Sequence, residues 1–194
     1  MPRPSRAVER RRELTPKLAL AFAQLGYRGA TTAELARRCK VQEPALYRLW
    51  PDKQAMFAAA IEHVYDNSVE TWKRLLAEPG RGTAAERVLA YEAEHHGELG
   101  LYRLLFSALG ETDDPAIAEA LRHTYGRFVE FLSQQIAAHR GGRASQADSA
   151  TAWAFIGLGT AANLGHELSL LNLEQRGSLF REIGAALLGA ARAR

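Results

Sequence analysis

The stretch GYRGATTAELARRCKVQEPALYRLWPDK, Gly26 to Lys53, decides the fold class. Its punctuation predicts two short helices around a tight connection at Cys39-Lys40-Val41. Thr31 or Thr32 caps the first, which turns Leu35 and Ala36 inward. Pro44 sits where the second can begin, and Ala45, Leu46, Leu49 and Trp50 supply its apolar side. Ala36 is small where two helices would cross closely, and Val41 can plug the gap between them. That plan is a helix-turn-helix, whose second helix is shaped to enter a DNA major groove.

Working outward, Thr15-Pro16 reads as an N-cap followed by proline at the first helical position. Leu18, Phe22 and Leu25 follow at helical spacing, and Gly26 ends that helix. On the other side, Asp52 can cap a long helix through Phe57, Ile61, Val64, Ser68, Trp72 and Leu75, stopping before Pro79-Gly80. Thr83 and Glu86 form a capping box for a helix toward His96. A shorter one spans about Leu99 to Leu109. Asp114-Pro115 opens another through Ile117, Leu121, Tyr125, Phe128, Leu132 and Ile136, closed by Gly141-Gly142. Ser145 and Asp148 start an Ala- and Gly-rich helix reaching about Leu170. Asn172 and Gln175 cap the last, which runs to the terminus. No segment alternates as a strand does. The expectation is an all-α chain of about nine helices. Residues 1–53 are expected to form a three-helix helix-turn-helix DNA-binding domain, and residues 54–194 a helical body.

The composition agrees. Hydrophobic residues make up 47% and charged residues 24% of 194, the balance of a globular protein. No apolar run approaches the roughly 18 residues of a membrane span. The N-terminus, MPRPSRAVERRREL, lacks the apolar segment of a secretory signal. The single cysteine, Cys39, excludes an intrachain disulfide and a Cys/His zinc cluster, and points to a cytoplasmic protein. Charge is uneven. Residues 1–53 hold 12 Lys+Arg against 5 Asp+Glu, and the remainder holds 13 against 17. A basic head on an acidic body suits a polyanion bound by the head alone.

Phe22, Gly26-Tyr27, Thr31-Thr32, Leu35-Ala36, Cys39, Val41, Ala45-Leu46-Tyr47, Trp50 and Lys53 together resemble the TetR family of transcriptional regulators over roughly the first 60 residues. The resemblance implies roles by position. Thr31 and Thr32 would begin a helix whose amides hold a phosphate. Tyr47 and Lys53 would contact the DNA backbone. Gln42, Glu43, Pro44, Ala45 and Arg48 would face the groove, with Gln42 suited to adenine, Arg48 to guanine or a phosphate, and Glu43 to the cytosine amino group. It further implies a dimer on a pseudo-palindromic operator, occluding it until a small organic effector releases it. An activator of the same fold, or a helical adaptor without DNA binding, stands as the alternative. Three departures matter. Lys40 stands where the family usually has glycine, and Gln42 replaces the usual serine cap. Pro16 falls inside the family's first helix, which predicts a kink or late start and leaves Arg3 to Arg12 as a separate arm. Glu43 is anomalous, since a carboxylate beside phosphates repels.

In the body, Gly157, Ala161 and Gly165 lie four apart, and Gly177 and Gly184 lie seven apart beside Phe180, Ile183 and Leu187. These small residues predict close helix crossings, either with a second copy, as the resemblance implies, or within the chain. Aromatic and histidine side chains recur at Tyr65, Trp72, Tyr91, His95, Tyr102, Phe106, Tyr125, Phe128 and Trp153. They mark the wall of a mostly apolar effector pocket or the ordinary core. His95, His96, Glu92 and Glu98 invite a metal, yet adjacent histidines on a helix diverge by about 100°, and a polar helix end is the plainer account. No HExxH, GxGxxG or GxxxxGK[ST] occurs, and no serine has a nucleophile-elbow context, so neither an enzyme nor a cofactor is expected.

Overall fold

The computed structural model describes residues 5–189. Every regular element among them is helical: α1 (Arg6–Gly29), α2 (Thr32–Cys39), α3 (Glu43–Tyr47), α4 (Lys53–Ala77), α5 (Ala84–His95), α6 (Tyr102–Leu109), α7 (Pro115–His139), α8 (Gln146–Glu167), α9 (Leu173–Ser178) and α10 (Ala185–Gly189). A π-helical stretch, Leu179–Gly184, joins α9 to α10 without a break. Counted as one bent helix, that run brings the described residues to the nine helices expected. No helix among them is long and apolar enough to cross a membrane.

The helix starts are written locally. Capping boxes form at Thr83 with Glu86, Ser145 with Asp148, and Asn172 with Gln175. Asp52 Oδ1 accepts the Ala55 amide at 2.7 Å and opens α4. The exception is α1, which begins ten residues before Pro16, capped by Ser5. Pro16 removes one amide and is nonetheless carried within the helix. Leu14, Leu18, Ala19 and Phe22 are fully buried along one side, and burying each large side chain contributes about 1.5–3 kcal/mol. That outweighs one lost backbone bond. Arg6 to Arg12 therefore belong to a helix and not to a separate arm, while Arg3 lies outside the described residues. The end of the last helix beyond Gly189 also lies outside them. The break comes at Gly26, where φ is 68° and ψ 170°, a conformation costly for a residue with a Cβ.

Packing divides the chain into two compact units, residues 1–67 with 99–125 and residues 68–98 with 126–194. It groups the chain differently from a functional division at residue 53. The first unit joins the reader helices to the start of α4, to α6 and to the start of α7 around Phe22, Leu35, Leu46, Phe57, Leu104 and Ile117. Phe22 meets Phe57 edge-on at 4.8 Å. The Tyr27 amide, just past the Gly26 break, donates to Ser107 Oγ on α6 at 3.3 Å. Arg28 and Glu111 form an ion pair at 2.8 Å beside it.

The second unit has two small apolar clusters, around Ile136 and Ala152 and around Leu158, Ala162 and Phe180, with Leu89 and Phe155 packed against both. Arg140 ties it together. Its guanidinium donates to the buried Asp148 at 3.0 Å and to the Leu187 carbonyl at 2.8 Å, capping the last helix.

Candidate nucleic-acid interface

The reader's two short helices are held by polar bonds at both ends. Thr31 Oγ1 caps α2 by accepting the Glu34 amide at 3.2 Å. Lys40 closes α2 in the left-handed region, φ 57° and ψ 45°, where a non-glycine residue costs about 1–2 kcal/mol. The Val41 amide returns to the Ala36 carbonyl at 3.0 Å, so the turn is tight despite the lysine. Gln42 begins α3 without a side-chain cap bond. The helix has only five residues. Leu49 and Trp50, expected on its apolar side, lie past its end and are buried there in the turn.

Four side chains, Thr32, Tyr47, Arg11 and Lys53, brace this arrangement with polar contacts that local sequence does not show. Thr32 Oγ1 donates to Glu43 Oε1, linking the first turns of α2 and α3. Tyr47 Oη donates in turn to Thr32 Oγ1 at 3.4 Å. From α1, the Arg11 guanidinium holds the Leu49 carbonyl, with Nε at 2.8 Å. At the start of α4, Lys53 Nζ donates to the carbonyls of Tyr27 at 3.0 Å and Ala30 at 3.2 Å and sits 4.3 Å from the Tyr27 ring centroid. Lys53 is thus first a clamp between α4 and the end of α1. Glu34 is gripped by Arg37 and Arg38, whose hydrogen bonds hold its carboxyl down to about 2.

Gln42, Pro44, Tyr47 and Arg48 face solvent together, while Glu43 and Ala45 are half-buried between them. Arg48 and Lys40 have no ion-pair partner among the described residues. Thr31 is exposed and Thr32 half-buried at the adjacent start of α2. The nine residues expected to meet DNA therefore fall on the short stretch from α2 to the start of α4.

The aromatic candidates divide between the units. Tyr65, Tyr102, Phe106 and Tyr125 belong to the first and Trp72, Tyr91, His95, Phe128 and Trp153 to the second. In the first, Tyr102 and Phe106 meet edge-on at 5.7 Å, and burial pushes the Tyr125 hydroxyl up. In the second, Trp72 is buried, stacks on Phe131 at 5.3 Å and meets Phe128 at 6.1 Å. Its indole donates to Glu92 at 2.7 Å. The other Glu92 oxygen lies 2.6 Å from His96 Nδ1, and His96 Nε2 lies 3.1 Å from the Gly159 carbonyl. That line, Trp72 to Glu92 to His96 to α8, escaped sequence reading because its members are 20 and 63 residues apart. His95 instead pairs with Glu98 at 3.0 Å and lies against Tyr91. No group of three or more His, Cys, Asp or Glu among the described residues is placed to hold a metal. Trp153 departs from the pocket expectation, since it is 53% exposed on α8.

The small-residue positions separate as well. Gly157 and Ala161 are exposed, with Ile183 half out of the protein and Leu187 partly covered. Gly165, Gly177, Phe180 and Gly184 are buried against their own chain, which corrects their placement at a partner surface. A Cβ on Gly177 would sit 2.7 Å from the Ala93 carbonyl oxygen, and one on Gly184 2.4 Å from Leu89. These glycines let the last helix approach α5. Exposed Trp153, Ala154, Leu164 and Leu168 share the face of Gly157 and Ala161 instead, at 3- and 4-residue steps that the sequence does display.

Comparison with known proteins agrees with this geometry. Residues 20–60 match the family model of bacterial regulatory proteins, tetR family. Over 61 residues the chain is 43% identical to the nucleoid occlusion factor SlmA of Haemophilus influenzae, covering 30% of this chain and 28% of that protein. It is 35% identical over 99 residues to SlmA of Escherichia coli, covering 50% of each. The chain thus spans half, or less, of the length of the curated relatives it matches. A TetR-family transcriptional regulator of known structure from Cytophaga hutchinsonii shares the fold across all of both chains, with a TM-score of 0.77 at 17% identity. Residues 20–60 thus match the tetR-family reader, and the chain as a whole shares the all-helical fold of a TetR-family regulator of known structure.

Proposed function

We propose that the chain is a ligand-responsive repressor that occludes a pseudo-palindromic operator as a dimer and leaves it when a small, mostly apolar organic effector binds. The observation that carries this reading is the solvent-facing surface of α3. Gln42 and Arg48 are exposed there with no structural task, while the neighbouring Arg11, Arg37 and Arg38 are all engaged within the protein. A glutamine can pair with adenine and an arginine with guanine or a phosphate. Thr31, Thr32, Tyr47 and Lys53 would fix the register through the backbone.

The outer face of α8, with Trp153, Ala154, Gly157, Ala161, Leu164 and Leu168, supports a second copy as its cover. A continuous apolar stripe of this kind is uncommon on a monomer, and a two-fold pairing buries it on both partners. The aromatic group of buried Trp72 with half-buried Phe128 and Phe131, and Glu92 as its polar partner, supports the effector's chemistry.

A gel shift on genomic fragments at two salt concentrations tests the reading. A selected fragment should be retained at the higher salt, where bulk fragments are released. No fragment bound at either concentration would leave a helical adaptor in place of a DNA reader.

A further inference from the structure

We infer that Glu43 is a specificity-determining residue that withholds the Thr32 hydroxyl from any duplex unable to replace it. The inference rests on the DNA-binding reading above. It starts from the order of protons in the chain Tyr47, Thr32, Glu43. A carboxylate only accepts hydrogen bonds, so the Thr32 proton goes to Glu43 Oε1. A hydroxyl carries a single proton, so Thr32 Oγ1 can only accept from Tyr47 Oη, 3.4 Å away. Both donors are therefore spent inside the protein.

A phosphate oxygen, like a carboxylate, only accepts. In the free protein it would meet the lone pairs of Thr32 and Tyr47, with a half-buried negative charge behind them. Tyr47 is 47% exposed, so its hydroxyl is within reach of a duplex laid on α3. Tyr47 can turn its proton to a phosphate by giving up its 3.4 Å bond alone, but Thr32 can donate only if Glu43 loses its partner. On most sequences nothing replaces that partner, and the carboxylate is left facing phosphates. Where the groove offers an amino group, such as that of cytosine, Glu43 gains a new donor, and the Thr32 hydroxyl is released. Discrimination then comes from a penalty imposed on the wrong duplex, not only from attraction to the right one. This also removes the anomaly of a carboxylate at that position.

The test compares wild type, Glu43→Gln and the double variant Thr32→Val with Glu43→Gln. The probes are a random-sequence 30-base-pair duplex and the tightest duplex recovered by selection with wild-type protein. Glutamine can donate to Thr32, which frees the threonine proton and removes the charge. Glu43→Gln should bind the random duplex about tenfold more tightly at low salt, steepen its salt slope by up to about 1, and narrow the preference for the selected duplex. The double variant should lose most of that gain. If Glu43→Gln melts well below wild type, Glu43→Met, uncharged and of similar size, carries the same comparison. An unchanged affinity for the random duplex in the folded variant overturns the inference, whether or not binding to the selected duplex is lost. A wild-type protein that binds neither duplex overturns the DNA-binding reading itself.

Discussion

Lys53 sits where two demands meet. Two of its three ammonium protons are taken by the carbonyls of Tyr27 and Ala30. Those carbonyls flank the turn between α1 and α2, just past the break at Gly26. Replacing Lys53 with methionine keeps the stem and removes both bonds and the contact with the Tyr27 ring. A charged hydrogen bond contributes about 1.5–3 kcal/mol and an exposed cation–π contact about 0.5–1. Lys53 is only half-buried, and water can partly satisfy the freed carbonyls, so about 2 kcal/mol in total is the reasoned figure. For a chain of this size each kcal/mol moves the melting temperature by about 2–4 °C, which gives a fall of about 4–8 °C.

The third proton is available to a phosphate, so the same variant should also reduce the salt slope of DNA binding by about 1. Thermal melting and binding at three salt concentrations read the two roles separately. A melting temperature within a degree of wild type would refute the clamp. An unchanged slope in a variant that binds would refute the phosphate contact, and Lys53 would then be structural alone.

Ala161→Arg places a charge on the exposed stripe of α8, and sedimentation at micromolar concentration should show monomer where wild type shows dimer. Gly177→Ala should lower stability by about 1–3 kcal/mol, because its Cβ would sit 2.7 Å from the Ala93 carbonyl oxygen and backbone must move. Gly157→Ala, with nothing within 4 Å, should leave the melting temperature unchanged or raised, and a similar fall in both would refute the separation. Glu34 is held below its ordinary 4.5, down to about 2, by hydrogen bonds from Arg37 and Arg38. Its stabilisation is therefore full above 4.5 and lost as the pH falls toward 2, so melting curves of wild type and Glu34→Gln should converge over that interval and stay parallel above it.

The helix starts at residues 52, 83, 145 and 172 were legible because a cap is a bond between residues three apart. The Gly26 break was legible because only glycine adopts that backbone cheaply. The start of α1 was not, because Pro16 is a strong local signal and the burial that overrides it comes from the rest of the first unit. The same limit governs the candidate sites. Glu43, Arg11 and Lys53 could be nominated or passed over by residue type. Their partners, 11, 38, and 26 and 23 residues away, are set only when the helices pack. Glycine spacing suggested close crossings correctly but not against what. Gly165, Gly177 and Gly184 turn inward, whereas Gly157 stands open on the other side of α8.

The charge of the head shows how far composition overstates function. Residues 1–53 carry 12 Lys+Arg, a number that suggests many phosphate contacts. Packing spends most of them. Arg11 holds the Leu49 carbonyl, Arg28 pairs with Glu111, Arg37 and Arg38 share Glu34, Arg10 and Lys17 share Glu13, and Lys53 clamps α1. Arg6, Arg12, Lys40 and Arg48 remain exposed without an ion-pair partner among the described residues. If these four and the third proton of Lys53 supply the phosphate contacts, each reader neutralises about five phosphates. At about 0.9 per contact, the salt slope should be near −4 to −5 per protomer. A slope approaching −10 per protomer would mean that the paired arginines abandon their carboxylates on DNA, so that binding remodels the reader and the braces described here belong to the free state alone. A slope near −1 would mean that α3 does not lie along a duplex at all.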